Sequence, residues 1–179
     1  QEFDNATWTK TNADVTADAA YAPDGTVTAD KIITNNAVSN GRAQQVITLA
    51  ATTAYTFSVF AKASEWGWLQ LRIAEDTAPA CYFNLNTGVV GAKDAGWTSS
   101  GIQVLGNGWY RCFATLTTVG TSYTYRIGPT NADNTSSTGD GTSGIFIWGA
   151  QVEAASFPSS YVPTTSASVL RPGDADPLT

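Results

Sequence analysis

Short runs of alternating side chains, separated by turn residues, recur along this chain, and helical periodicity is almost absent. Successive side chains of a strand point to opposite faces, so a period of two marks sheet rather than helix. Tyr55, Phe57, Val59 and Ala61 alternate with Thr56, Ser58, Phe60 and Lys62. Leu69, Leu71 and Ile73 oppose Trp68, Gln70 and Arg72 in the same way. The pattern returns with Phe83 and Leu85 against Tyr82 and Asn84, and with Tyr110, Cys112, Ala114 and Leu116 against Trp109, Arg111 and Phe113. Tyr123, Tyr125 and Ile127 oppose Thr124 and Arg126. About ten short strands without a helix predict two antiparallel sheets packed face to face. A chain of 179 residues suits one such domain, with enough length to bury a substantial core.

The stretch Gly139 to Pro163 is expected to complete the fold. It opens on a Gly-Asp-Gly turn and runs through Ile145, Phe146, Ile147 and Trp148, the β-branched and aromatic composition of a buried strand. Gly149 interrupts that run, which predicts a bulge or a close neighbouring backbone. Pro158 and Pro163 end regular pairing, so the residues after the strand are expected to close over the body. At the other end, Phe3 to Trp8 reads as an arm whose aromatics dock on that body.

Composition narrows the function. Only 13% of residues are charged, and the net charge is −6. Nucleic acid and anionic membrane both call for clustered Lys and Arg, so neither is an expected partner. No apolar run approaches the roughly 20 residues that span a bilayer. Histidine is absent, which removes the commonest general base and metal ligand. Cys81 and Cys112 are too few for a zinc site. They read either as one disulfide or, the favoured choice, as two small buried residues.

The strand faces opposite the apolar ones mix aromatic rings with Arg, Gln and Asn. Such a surface suits sugars, whose C–H faces stack on rings while their hydroxyls take planar hydrogen bonds. The candidate ligand-binding set is Trp68, Gln70, Arg72, Tyr82, Arg111 and Arg126 on one sheet face, with Trp66 adding a ring at the groove edge. The alternative is that the aromatics fill gaps and the arginines pair with local carboxylates. A glycosidase needs two carboxylates across a cleft, and Glu65, Glu75 and Asp76 do not set up such a pair. A Ser nucleophile would lack its His. No catalytic residue is assigned.

Several motifs in order carry a family resemblance. They are Phe3-Asp4-Asn5-Ala6-Thr7-Trp8, Ala22-Pro23-Asp24-Gly25-Thr26, Tyr55-Thr56-Phe57-Ser58-Val59, Phe83-Asn84-Leu85-Asn86-Thr87-Gly88, Gly106-Asn107-Gly108-Trp109-Tyr110-Arg111-Cys112, Trp148-Gly149-Ala150-Gln151-Val152-Glu153, and Ser156-Phe157-Pro158-Ser159-Ser160-Tyr161-Val162-Pro163. The chain resembles the carbohydrate-binding-module-like jelly-roll domains of phage tail and virion proteins, which are similar to carbohydrate-binding modules of the family 4, 9, 16 and 22 type. The resemblance implies an all-β jelly-roll β-sandwich of two antiparallel sheets over residues 1–170, with 171–179 as tail or linker. It implies a non-catalytic module that binds a polysaccharide or cell-surface glycan. The module would be joined to neighbouring domains of a larger virion or secreted protein, with a purely structural tail or virion domain as the alternative. Such modules often place an acidic residue in the last strand to help hold calcium. Here that stretch reads Trp148-Gly149-Ala150-Gln151, so no cofactor is expected. Asp24, Asp30 and Asp140 are the remaining oxygen donors for a structural calcium, which takes about six to eight oxygen ligands. Turn formation is the favoured role for these three.

Overall fold

The computed structural model describes residues 2–75 and 79–164. Asp76 and the tail at 171–179 lie outside the described residues. Twelve strands carry the chain in sequence order: β1 (Thr9–Thr11), β2 (Ala13–Tyr21), β3 (Val27–Thr34), β4 (Arg42–Thr48), β5 (Ala54–Ala63), β6 (Trp68–Ile73), β7 (Ala80–Asn84), β8 (Val89–Lys93), β9 (Ser99–Gly106), β10 (Trp109–Thr117), β11 (Ser122–Thr130) and β12 (Gly144–Glu153). They form two six-stranded antiparallel sheets. The front sheet has the order β1-β4-β11-β6-β7-β8 and the back sheet β2-β3-β12-β5-β10-β9. Non-consecutive neighbours show that the chain crosses repeatedly between sheets, as a jelly roll does. Among the described residues no helix is long and apolar enough to cross a membrane.

The core lies between the sheets and follows the alternation. Leu69, Leu71, Ile73, Phe83, Tyr123 and Ile127 enter it from the front, and Phe57, Val59, Cys112, Ala114, Ile145 and Ile147 from the back. The N-terminal arm docks as expected: Phe3 and Trp8 are buried, with ring centroids 4.7 Å apart. Asp30, buried in β3, holds this arm by accepting a hydrogen bond from Phe3 N (2.7 Å), and it also accepts one from Asp18 N of β2 (3.1 Å). Burial nevertheless pushes its carboxyl above the usual range. Cys81 and Cys112 are free thiols buried on opposite sheets. Burial pushes the Cys81 thiol up to about 11 and Cys112 well above its ordinary value, so both stay protonated at neutral pH.

The last strand inserts between β3 and β5. Its register shifts between Trp148 and Gln151, and Gly149 sits at φ +59. A Cβ there would come within 2.9 Å of the Phe60 ring and 3.2 Å of Tyr161, so the glycine serves both conformation and close approach. Beyond Glu153 the chain folds back over the outer face of the back sheet. Tyr161 packs edge-on against Phe60 and tilted against Trp148, with centroids 5.5 and 4.7 Å away, and closes a second, smaller apolar cluster with Trp109, Ala22 and Ala29.

Candidate functional site

The outer face of the front sheet gathers five of the seven candidate residues. Trp68, Gln70 and Arg72 project from β6, opposite the fully buried Leu69, Leu71 and Ile73. Strand pairing then aligns their neighbours. Arg72 faces Arg126 on β11, and Arg126 in turn faces Gln44 on β4. Gln70 faces Tyr82 on β7 and Gly128 on β11, while Trp68 faces Asn84 and Thr130. Paired strands run roughly 4.8 Å apart, so these side chains form adjoining rows across the sheet. Gln70 Nε2 donates to the Tyr82 hydroxyl at 2.6 Å. Tyr82 is only 6% exposed, so it offers lining rather than an open stacking platform. Trp68 is half-buried. Its indole reaches Gly91 on β8, where an added Cβ would come within 2.6 Å of Cζ3.

Asn40, Arg42 and Gln44, missed in the sequence, adjoin these residues on the same face. Asn40, Arg42, Gln70, Arg72 and Arg126 line a hollow of about 190 Å³. Arg42 opens β4, its Nε donating to Gln44 Oε1 at 2.9 Å and its Nη1 to Asn40 O at 3.0 Å. The available signal was the alternation of Arg42, Gln44 and Val46 against Ala43 and Ile47. The polar Gln45 blurred it. Gly128 lies between the rows, where a Cβ would meet Gly41 O at 2.5 Å. A side chain at that position would push the start of β4 away.

The hollow is electropositive. Burial first, then the neighbouring Arg126 and Arg72 charges, push the Arg42 guanidinium below its ordinary value. The Nε atoms of Arg72 and Arg126 are buried without a hydrogen-bond partner. The ion pairs among the described residues are Lys31–Glu65 and Arg111–Glu153, and neither involves these three arginines.

Arg111 is not part of this face. It lies on β10, in the back sheet, and points outward beneath the C-terminal segment. There its guanidinium donates to Ser159 O and, at 3.1 Å, to Ser58 Oγ; it lies 3.7 Å from Glu153 Oε1 and 5.3 Å from the Phe60 ring centroid. Alternation assigned it correctly to an outer face, but which sheet holds β10 depends on non-local pairing. Trp66 also departs from the expected groove: it packs against the main core. Gly67 lies between it and the first residue of β6, so strand parity does not extend back to Trp66.

The acidic candidates among the described residues are engaged. Glu65 pairs with Lys31 at 2.7 Å, and Glu75 accepts from Thr124 N and, at 2.7 Å, from Thr124 Oγ1. Asp140 caps its own turn through Thr142 and Ser143, and Asp24 does so through Thr26. Among the described residues, no group of three or more His, Cys, Asp or Glu side chains comes together in a way that would hold a metal ion. A larger hollow, about 480 Å³, opens between the β2–β3 turn and the β9–β10 hairpin, lined by Tyr21, Pro23, Lys62, Asn107 and Trp109 among others. Its principal ring is committed: Trp109 is buried and its Nε1 donates to Tyr21 O at 3.0 Å.

The chain is a jelly-roll β-sandwich of two antiparallel sheets. No family model matches it, and no curated protein matches. Ten solved chains do. One is the CBM22-1–GH10 region of endo-1,4-beta-D-xylanase 10B from Clostridium thermocellum, complexed with xylohexaose, at 18% identity and TM-score 0.47 over 86% of this chain and 26% of that one. Another is the CBM22-1 xylan-binding domain of Paenibacillus barcinonensis Xyn10C, at 15% identity and TM-score 0.47 over 84% of this chain and 89% of that one. A third is the enzymatically active domain of tailspike protein 4 from bacteriophage CBA120, at 12% identity and TM-score 0.47 over 84% of this chain and 20% of that one. The present chain thus spans about a quarter of the solved xylanase chain and a fifth of the solved tailspike chain.

Proposed function

We propose that this domain is a non-catalytic carbohydrate-binding module whose site is the outer face of the front sheet. The observation that carries this reading is that Trp68, Gln70 and Arg72 follow one another on the outer face of β6, so that the indole adjoins a polar group of Gln70, Arg72 and Arg126 that lines a hollow. A sugar ring set against the indole would bury its C–H face, while the fixed donors of the row take its ring oxygens and hydroxyls. The sheet holds these groups at rigid spacings, which limits the ordering cost of binding. The engaged state of Glu65 and Glu75 supports a binding rather than a hydrolytic role. A surface low in charge supports placement on a virion or in a secreted multidomain protein. There, repetition of a weak module would raise overall attachment.

The test is electrophoretic retardation in gels containing a broad panel of glycans, run alongside thermal unfolding of the same proteins. Wild type is retarded by at least one glycan. Trp68→Ala loses that retardation, because removing an aromatic platform costs about 1–3 kcal/mol by analogy with base stacking, or about tenfold or more in affinity. Its melting temperature stays within about 4 °C of wild type, the shift expected for about 1 kcal/mol at this chain length. Tyr21→Ala, in the larger hollow, leaves retardation unchanged. Absence of retardation across the panel would instead make the domain a structural part of its parent protein. Loss in Tyr21→Ala but not in Trp68→Ala would move the site to the larger hollow.

A further inference from the structure

We propose that the glycan taken by this face is anionic, with a carboxylate or sulfate substituent seated among Arg42, Arg72 and Arg126. This rests on the front-face binding reading and adds the chemical class of ligand. Three guanidiniums line one hollow, and Arg72 and Arg126 are direct cross-strand neighbours. Like charges placed opposite each other weaken a sheet. Arrangements of this kind are ordinarily neutralised by acids, and this chain has fifteen. None forms an ion pair with these arginines among the described residues. The neighbouring acid at the end of β6, Glu75, is turned to Thr124.

The donors are also unspent. Arg72 Nε and Arg126 Nε are buried and lack acceptors, a costly condition for groups that water cannot reach. A neutral hydroxyl leaves the charges facing one another. An anionic group offsets them, and the planar guanidinium fork suits two-point recognition of an oxyanion. The protein as a whole carries −6, so unspecific attraction does not account for capture of a polyanion; a local positive site does.

The experiment measures the affinity of the whole domain for polygalacturonate, its carboxyl-reduced neutral counterpart, dextran sulfate and dextran. Wild type is expected to bind polygalacturonate or dextran sulfate at least tenfold more tightly than the matching neutral polymer, with the preferred arm identifying carboxylate or sulfate. Arg72→Gln and Arg126→Gln each lower that affinity at least tenfold, and circular dichroism of both variants remains that of wild type. Tyr21→Ala binds as wild type. Equal binding of charged and neutral polymers, lost in Trp68→Ala, would overturn the anionic assignment and leave glycan binding at this face intact. Polyanion binding that survives both arginine substitutions in folded protein would overturn the assignment to this hollow. If no glycan of either charge binds, both readings fall.

Discussion

Arg72 on β6 and Arg126 on β11 are direct cross-strand partners on the outer face of the front sheet, and neither is paired with a carboxylate among the described residues. Two like charges in that relation oppose the sheet that holds them, by about 0.2–1 kcal/mol in ordinary pairs. Arg42 joins them from β4 across the same hollow. A fold that keeps such an arrangement without internal neutralisation stands as expected if the partner charge arrives from outside.

Replacing one of the pair therefore separates stability from binding. Arg126→Gln keeps a polar, neutral side chain and removes the repulsion. Its melting temperature should equal that of wild type or rise by up to about 3 °C, while binding of an anionic glycan weakens. Differential scanning calorimetry beside isothermal titration gives both quantities on one sample.

Arg111 is expected to behave in the opposite way. Its side chain is 6% exposed and lies 3.7 Å from a Glu153 carboxylate that is itself 16% exposed, so truncation leaves a largely buried charge unmatched. Arg111→Ala should cost about 3 kcal/mol, or roughly 6–12 °C in melting temperature. It also frees the segment at Ser159 from the back sheet. Glycan retention, measured well below the lowered melting temperature, should be unchanged. An unaltered melting temperature would contradict the strapping role given to this side chain.

The two thiols give a direct check on the core. Both cysteines are free and buried, and a protonated, inaccessible thiol is a poor nucleophile. Native protein should react with Ellman's reagent only as fast as it unfolds. Protein unfolded in guanidinium without reductant should release two equivalents at once. Zero equivalents from the unfolded, unreduced sample would mean a disulfide.

Acid should act partly through Glu65. Its hydrogen bond from Lys31 holds the carboxyl at about 2, down from 4.5. A depressed carboxylate stabilises the folded state fully above its unfolded value and loses that contribution as pH falls through its folded value. The difference in melting temperature between wild type and Glu65→Gln should accordingly be constant above about pH 5 and shrink progressively between 4.5 and about 2. Because Glu65 is half exposed, added salt should reduce the difference at neutral pH.

Much of this architecture was legible in local pattern. Alternation alone placed Leu69, Leu71 and Ile73 in the core and Trp68, Gln70 and Arg72 outside it, because a strand offers only two faces and water sorts them. Gly149 within an apolar run foretold the irregularity at Trp148–Gln151, since a missing side chain there makes room for Phe60 and Tyr161. The arm at Phe3 and Trp8 and the insertion of the final strand followed from composition in the same way. β8 and β9 went unread: their sequences, VVGAK and SSGIQVLG, carry glycine and weak alternation, and both run along sheet edges where burial imposes little pattern.

Only the tertiary structure decided which outer face each strand shares. Arg72 and Arg111 look equivalent in sequence, each flanked by core residues, yet β6 and β10 belong to different sheets. That choice is made by pairings between segments far apart in the chain, which no local periodicity records. The same non-local pairing brought Arg42, from a strand whose start was obscured by Gln45, beside Arg72 and Arg126. Side-chain period determined inside from outside. The crossing of the chain between two sheets determined which charges meet.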